Sequence, residues 1–414
     1  MNAILDIGFE EALKRAMENV FAVKQETLPV DRAVGRIVAK PLYARVDSPS
    51  VDASLKDGYA VVSTDLARAA PDNPVKLKIS GHVAAGDPCG TTVAPGYAIR
   101  ILSGAPIPEG ADAVVADEFV ELQDPHIRAF ADAGPGRNIL EKGADVFSGE
   151  RLMDIGDRMR PQTAALVVAG GISEIPVFSR PTIGLLATGS EVLLPGSRLE
   201  EGKLYASNLA LQHAWLTTEG FEVDFRLSGD SEKDIADAAT ALLSEADVLI
   251  TSGGAWKGDH DLMVKVLDRL GWDMIFHRVR IGPGKAVGMG MLWGKPVFCL
   301  PGGPASNETS FMMIVFPAVL KMAGYLHTPY LQLYGRLERS VSGQADWTQF
   351  IQCDLSVDRS QIILHPKKMK SRLAAMAKSA AVVKIPEGVD TLLQGSEVPF
   401  ICLDPKRFMK SIPG

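Results

Sequence analysis

Apolar residues recur at three- and four-residue intervals from Phe9 to Val20, with Phe9, Leu13, Ala16, Met17 and Val20 near one face, which predicts an amphipathic helix. The period then shortens. Arg36–Ala39, Tyr59–Val62, Ala98–Leu102 and Ala113–Val115 are brief strand-like runs between Pro and Gly turns, so residues from about Asp47 to Asp145 read as a β-rich region. Helical spacing returns over Pro161–Gly170, and Pro176–Pro181 reads as a link into the next unit.

From Pro181 to about Tyr325 strands alternate with helices. Strands are predicted at Ile183–Thr188, Phe221–Phe225, Asp247–Thr251, Trp272–Arg280 and Pro296–Leu300. Helices are predicted at Ser207–Glu219, Ser231–Ala246, Asp261–Leu270 and, as one long element, Pro304 to about Met322. Near-continuous apolar strands separated by helices are what a parallel sheet covered on both faces requires, so this region reads as a doubly wound α/β domain. Gly335–Asp404 is again mainly short strands, at Phe350–Leu355, Gln361–His365, Ala380–Ile385 and Glu397–Leu403, and reads as a small C-terminal β domain.

The length of 414 residues exceeds what one core usually serves, so several domains are expected. The net charge of −7, with no long Lys/Arg block, argues against a nucleic-acid or polybasic membrane surface; an anionic ligand would have to be attracted locally. Cys89, Cys299, Cys353 and Cys402 form no CxxC pair, which fits a reducing compartment. Met1–Glu11 lacks the basic start and apolar core of a signal peptide, and no apolar run approaches the ~18 residues of a membrane span. A soluble, cytoplasmic protein is expected.

In an open α/β sheet, ligands sit at the carboxyl ends of strands, where backbone N–H groups point outward. Three predicted strand ends share this character: Thr188-Gly189-Ser190-Glu191, Thr251-Ser252-Gly253-Gly254 and Pro301-Gly302-Gly303-Pro304. Each alone serves equally as a tight βα turn; three on one sheet edge favour an anion site. Glu191, Asp230, Asp259 and Asp261 stand nearby, and a magnesium ion held by carboxylates, phosphate oxygens and water would offset their charge. Asp261 equally suits the N-cap of the helix it opens, and Asp230 a loop position beside the cap Ser231. Lys285, behind a Pro-Gly turn and near Arg278 and Arg280, is the candidate cation. A second polar cluster lies in the β-rich region: Asp52, Ser54, Lys56 and Asp57, with Ser103-Gly104-Ala105-Pro106 after a strand. HExxH, GxSxG, P-loop and strand-borne GxGxxG patterns are absent, which argues against zinc hydrolysis and a generic nucleotide-binding fold.

Taken in order, Asp52-Ala53-Ser54-Leu55-Lys56-Asp57-Gly58-Tyr59-Ala60-Val61, Ile99 to Pro108, Gly143-Ala144-Asp145, Thr188 to Glu191, Ser252-Gly253-Gly254 through Asp261, and Leu300 to Ser306 resemble the molybdopterin molybdenumtransferases, the MoeA/gephyrin E-domain family. The resemblance runs over nearly the whole chain. It implies an elongated domain (1–46 with 146–180), an inserted β domain (47–145), an α/β molybdopterin-binding domain (181–326) and a C-terminal β-barrel-like domain (327–414). It further implies a homodimer in which Asp57 and Ser103 of one subunit meet Glu191 and Asp261 of the other. The reaction it implies is magnesium-dependent cleavage of adenylylated molybdopterin and insertion of molybdate, giving molybdenum cofactor and AMP, with recipient molybdoenzymes as possible partners. Carried over by position, Asp57, Ser103, Asp145, Glu191, Asp230 and Asp261 match the catalytic polar residues, with Glu191, Asp230 and Asp261 holding the metal. Ser252, Gly253, Gly254, Lys285, Pro301, Gly302, Pro304 and Ser306 match the substrate-binding positions.

The chain departs from the family pattern at Gly282 (usually lysine), Trp256 (serine), Ala286 (proline), Gly303 (asparagine), Lys56 (methionine) and Thr348-Gln349 (an Arg-Glu pair). The loss of positive charge bears on the oxyanion, and Lys56 or Lys257 offers a replacement. Two rivals therefore accompany the transferase: a molybdopterin-binding carrier or scaffold, and an enzyme inserting tungstate. The acids favour an enzyme, since a pure binder has no need of Glu191, Asp230 and Asp261.

Overall fold

The computed structural model describes residues 4–253, 262–328, 330–358, 361–367 and 372–405. The chain divides into two compact units, residues 26–177 and residues 1–25 with 178–414.

In the first unit, a six-stranded sheet runs in the order Ala113–Ala116, Gly58–Val61, Tyr97–Ile101, Val75–Val83, His126–Ala129, Val120–Gln123. Side chains alternate between faces along a strand, and over Gly58–Val61, Ala113–Ala116 and most of Tyr97–Ile101 both faces are buried. Tyr59, Val61, Ala98 and Val115 join one core with Leu77 and Ile127, while Ala60, Ile99, Ile101 and Val114 join another with Val83 and Val93. Double burial explains why these strands read as apolar runs without alternation. A separate core of Val30, Val38, Leu42, Met153, Met159, Val167 and Ile175 gathers around the helix Pro161–Ala169. The strand expected at Arg36–Ala39 does not form; its chain makes only isolated bridges, Ile37 to Arg158 and Val38 to Val177.

The second unit holds the α/β sheet, ordered Glu222–Ser228, Thr182–Thr188, Val248–Ser252, Lys295–Leu300, Gly288–Leu292, Asp273–Gly282. Ile183, Leu185, Val248, Ile250, Phe298 and Leu300 pack under Leu209, Leu216, Phe311 and Phe316. The alternate residues Leu186, Leu249, Val297 and Cys299 pack under Ile235, Leu242, Met263 and Leu267. Helices thus cover both faces, as the sequence predicts. The first four strands are mutually parallel. The last two are not: Gly288–Leu292 runs antiparallel to both Lys295–Leu300 and Asp273–Gly282. This strand escaped the sequence pattern because Gly288 and Gly290 lower its β propensity. Glycine is required at 290, where a Cβ would lie 2.4 Å from Trp272 Nε1 and 2.5 Å from Asp273 O.

The helix expected as one element from Pro304 to Met322 is α-helical at Pro304–Ser310 and Phe316–Met322, with a π-helical turn at Phe311–Val315 between them. Pro317 carries no N–H and its ring crowds the carbonyl one turn earlier, so the wider turn relieves both problems just before it.

Beyond the α/β sheet, Ile4–Gly8 pairs in parallel with Asp273–Gly282 and leads into the amphipathic helix Phe9–Glu18, which buries Phe9, Ala12 and Ala16. Strands Thr348–Asp358, Gln361–Pro366, Leu331–Leu337, Glu397–Cys402 and Ala381–Ile385 pair in that order, and the last returns to the first, closing a barrel-like sheet. It joins the α/β sheet through the parallel pairs Ile281–Thr348 and Gly282–Gln349.

Candidate functional site

Strand Thr182–Thr188 has the next strand, Glu222–Ser228, on one side and the third, Val248–Ser252, on the other. The connections therefore diverge between Thr182–Thr188 and Val248–Ser252, and a crevice opens at their carboxyl ends. A cavity of about 500 Å³ occupies it, lined by Thr188, Glu191, Tyr205, Asn208, Ser252, Gly253, Gly302 and Pro304 among others. A cavity of about 340 Å³ elsewhere in this unit, among Phe9, Met312, Phe350 and Phe400, shares no residue with it and lies away from the carboxyl ends of the parallel strands. Convergent polar groups at a switch point make the first the candidate site.

Two of the glycine-rich turns are fastened together by asparagines. Asn208, in the first turn of helix Ser207–Thr218, donates from Nδ2 to Gly302 O (2.8 Å) and Ser252 Oγ (3.3 Å). Asn307, fully buried on helix Pro304–Ser310, donates from Nδ2 to Ser252 Oγ (2.9 Å) and Pro301 O (2.9 Å). Gln212 Nε2 in turn donates to Asn307 Oδ1 at 2.7 Å. Sequence reasoning missed all three amides. They belong to no motif, and a polar residue on a helix reads as solvent-facing until its helix is docked.

At the third turn, Ser190 N–H donates to Asp230 Oδ2 (2.9 Å) and Lys203 Nζ donates to Ser190 O (2.7 Å). Asp230 thus spans the ends of adjacent strands and shapes the loop that carries Glu191. Lys203 is another residue the sequence did not flag; its ammonium is held at the carbonyl of Ser190, the residue before Glu191. Glu191 and Asp230 are exposed hard-oxygen donors, and one Asp230 oxygen remains free of the Ser190 bond. That donor set fits magnesium, which takes one or two carboxylates and fills its shell with phosphate oxygens and water. Among the described residues no group of three His, Cys, Asp or Glu side chains gathers to hold a metal. The other expected metal ligand, Asp261, lies outside the described residues, as do Gly254, Trp256, Lys257 and Asp259.

Lys285 does not line the cleft. Its Nζ lies 3.8 Å from Asp6 Oδ1 and 5.0 Å from the centre of the Trp347 ring. Ser306 does not line the cleft either; its carbonyl faces the Gly282–Ala286 turn, 3.3 Å from where a Cβ on Gly284 would stand. Two departures from the family pattern meet here, because Gly282 pairs with Gln349 and a Cβ at 282 would come 3.3 Å from the Gln349 side chain. Gly282 and Gln349 are therefore neighbours, and neither carries a charge.

In the other unit, the 46-residue gap between Asp57 and Ser103 is closed by pairing of Gly58–Val61 with Tyr97–Ile101, and Ser103 N–H donates to Asp57 Oδ1 at 2.7 Å. Asp145 sits on a separate turn, its N–H bonded to Ser48 O at 2.9 Å.

A doubly wound domain with a polar cleft at its switch point, joined to a barrel-like sheet and carried with a β-rich unit, defines a multi-domain α/β ligand-binding protein. Residues 7–171 match the MoeA N-terminal region (domain I and II), and residues 184–321 match the probable molybdopterin binding domain. Molybdopterin molybdenumtransferase 2 of Mycobacterium tuberculosis is 30% identical over 396 residues, 94% of this chain and 98% of its own. The molybdopterin molybdenumtransferase of Staphylococcus aureus is 28% identical over 405 residues, 95% of each chain. The crystal structure of a molybdopterin biosynthesis MoeA protein from a Pyrococcus species matches with a TM-score of 0.81 and 31% identity, covering 96% of this chain and 99% of that one. The chain belongs to the molybdopterin molybdenumtransferase family, and it is an enzyme of molybdenum cofactor biosynthesis. No helix among the described residues is long and apolar enough to cross a membrane.

Proposed function

We propose that the chain transfers molybdate into adenylylated molybdopterin with release of AMP. The observation that carries this reading is the convergence of Ser252, Gly253, Gly302 and Glu191 on one cleft at the switch point. Backbone N–H groups of the Pro301–Pro304 turn and the Ser252 hydroxyl bind phosphate oxygens, and they are held in place before the ligand arrives, while Gly253 N–H is engaged with Leu300 O. Glu191 and Asp230, with Asp261, would hold magnesium, which would supply charge neutralisation at the phosphate oxygens. Asp57 holds the Ser103 turn by its backbone bond. Asp145, Lys285 and Ser306 line no part of the described cleft, and their assignment to the oxyanion or the remainder of the substrate rests on the resemblance alone. The reading includes a homodimer, the four-part domain division and a cytoplasmic location.

The test is AMP release from adenylylated molybdopterin and magnesium with molybdate or tungstate. AMP is expected with one of them. Tight molybdopterin binding with no AMP from either oxyanion would remove the transferase and leave the carrier. Glu191→Gln keeps the shape of the side chain and removes its charge; it is expected to lower magnesium-dependent turnover by about 10²-fold, the scale of a few kcal/mol of transition-state stabilisation. Unchanged turnover across a magnesium titration would remove Glu191 from the metal set.

A further inference from the structure

We propose that Asn208 and Asn307 are positioning residues that make the Ser252 hydroxyl a committed hydrogen-bond donor to an anionic ligand oxygen. The phosphoanhydride as ligand rests on the function proposed above; the geometry does not. A serine hydroxyl has one hydrogen to give and two lone pairs to accept with. Both amides point N–H groups at Ser252 Oγ, at 2.9 and 3.3 Å. Their orientation is set by chemistry, because Nδ2 of each also faces a backbone carbonyl, Pro301 O or Gly302 O, which can only accept. Gln212 fixes Asn307 from the opposite side by donating to its oxygen. With both lone pairs engaged, the Ser252 proton points away from the amides, and Ser252 lines the cleft.

Selectivity changes in two ways as a result. A cation at this point would need a lone pair that is already taken, so Ser252 serves the anion and leaves the metal to Glu191 and Asp230. The same four N–H bonds lash the Ser252 and Gly302 turns together, so the donor and the backbone N–H groups beside it keep a fixed spacing. Ser252 is 5% exposed, Gln212 1% and Asn307 0%. The amide nitrogens of all three residues and Asn307 Oδ1 are engaged, whereas Asn208 Oδ1 and Gln212 Oε1 are buried with no hydrogen-bond partner among the described residues, so what holds the arrangement is its donor side.

The test is calorimetric titration of the full chain with inorganic pyrophosphate in the absence of magnesium. Ser252→Ala is expected to weaken binding at least about tenfold, the scale of one hydrogen bond to a charged group, and Ser252→Thr, which keeps the hydroxyl, to stay within about threefold of wild type. Asn208→Asp replaces the N–H donor with an acceptor, so the Ser252 proton turns back to the new carboxylate. An acid in the first turn of a helix is tolerated, which keeps the variant folded. The carboxylate also repels the anion, so the readout is a double-mutant cycle: the loss caused by Asn208→Asp should be about tenfold smaller when residue 252 is alanine. Equal losses in the two backgrounds, Ser252→Ala binding within twofold of wild type, or no pyrophosphate binding by wild type at millimolar concentration would each overturn the inference. Serine-dependent pyrophosphate binding without AMP release would instead sink the transferase and leave this inference standing.

Discussion

Gly253→Ala is expected to abolish ligand binding in the cleft and to lower the thermal midpoint of the protein. Gly253 has φ +99°, a conformation that L side chains rarely adopt, and that alone costs on the order of 1–3 kcal/mol. The added methyl would also stand 2.3 Å from Thr188 O and 3.1 Å from Thr188 Oγ1. Thr188 ends the neighbouring strand and its carbonyl cannot swing aside, so the turn would have to move outward, into the cleft. Its backbone N–H groups and Ser252 would move with it. Pyrophosphate titration and thermal unfolding report the two effects. Affinity equal to wild type would show that the ligand does not rest against this turn.

Glu308→Gln is expected to stabilise the protein at pH 8 by about 3 kcal/mol and to change little at pH 4.5. Glu308 is 8% exposed, and burial raises its pKa from 4.5 to about 7, against the opposing pull of a 2.8 Å hydrogen bond from Gln352 Nε2. Every tenfold gain in proton affinity on folding corresponds to roughly 1.4 kcal/mol. The folded state holds the proton more tightly than the unfolded chain does, so the associated stability is fully present below about 4.5. It declines as pH rises and is gone once pH has passed about 7. Glutamine keeps the acceptor for Gln352 and cannot ionise, so the difference between the two proteins isolates this one group. A stability difference that does not change between pH 4.5 and pH 8 would show that folding leaves the proton affinity of Glu308 unchanged.

The sequence was most legible where a residue's environment repeats with the period of its own element. Ile183–Thr188 and Val248–Ser252 are buried on both faces, so the apolar run alone identifies them, and the glycine turns follow from where those runs stop. Gly288–Leu292 was invisible because its two glycines make room for Trp272 and the neighbouring strand, a demand set by tertiary contact. The site divides the same way. Ser252, Gly253 and Gly302 are strand-end residues and could be placed by pattern. Asn208, Gln212 and Asn307 act across two helices, and nothing in their local spacing distinguishes them from a solvated face. Lys285 shows the converse. Its Pro-Gly turn was readable, but its partners were not: Asp6 comes from a strand, Ile4–Gly8, that forms only by pairing with Asp273–Gly282.

The two parallel pairs that bind residues 281 and 282 to residues 348 and 349 give the barrel-like sheet and the α/β sheet a common ladder. Phe350 and Val382 of the barrel sit in the same core as Phe9, Phe298 and Phe316. A gene fragment ending near residue 327 would therefore not release a self-contained binding module. It would bare the apolar flank of the π-helical turn and part of a strand edge, and such surfaces pair with other copies. Transplanting the cleft into another protein requires the barrel to travel with it.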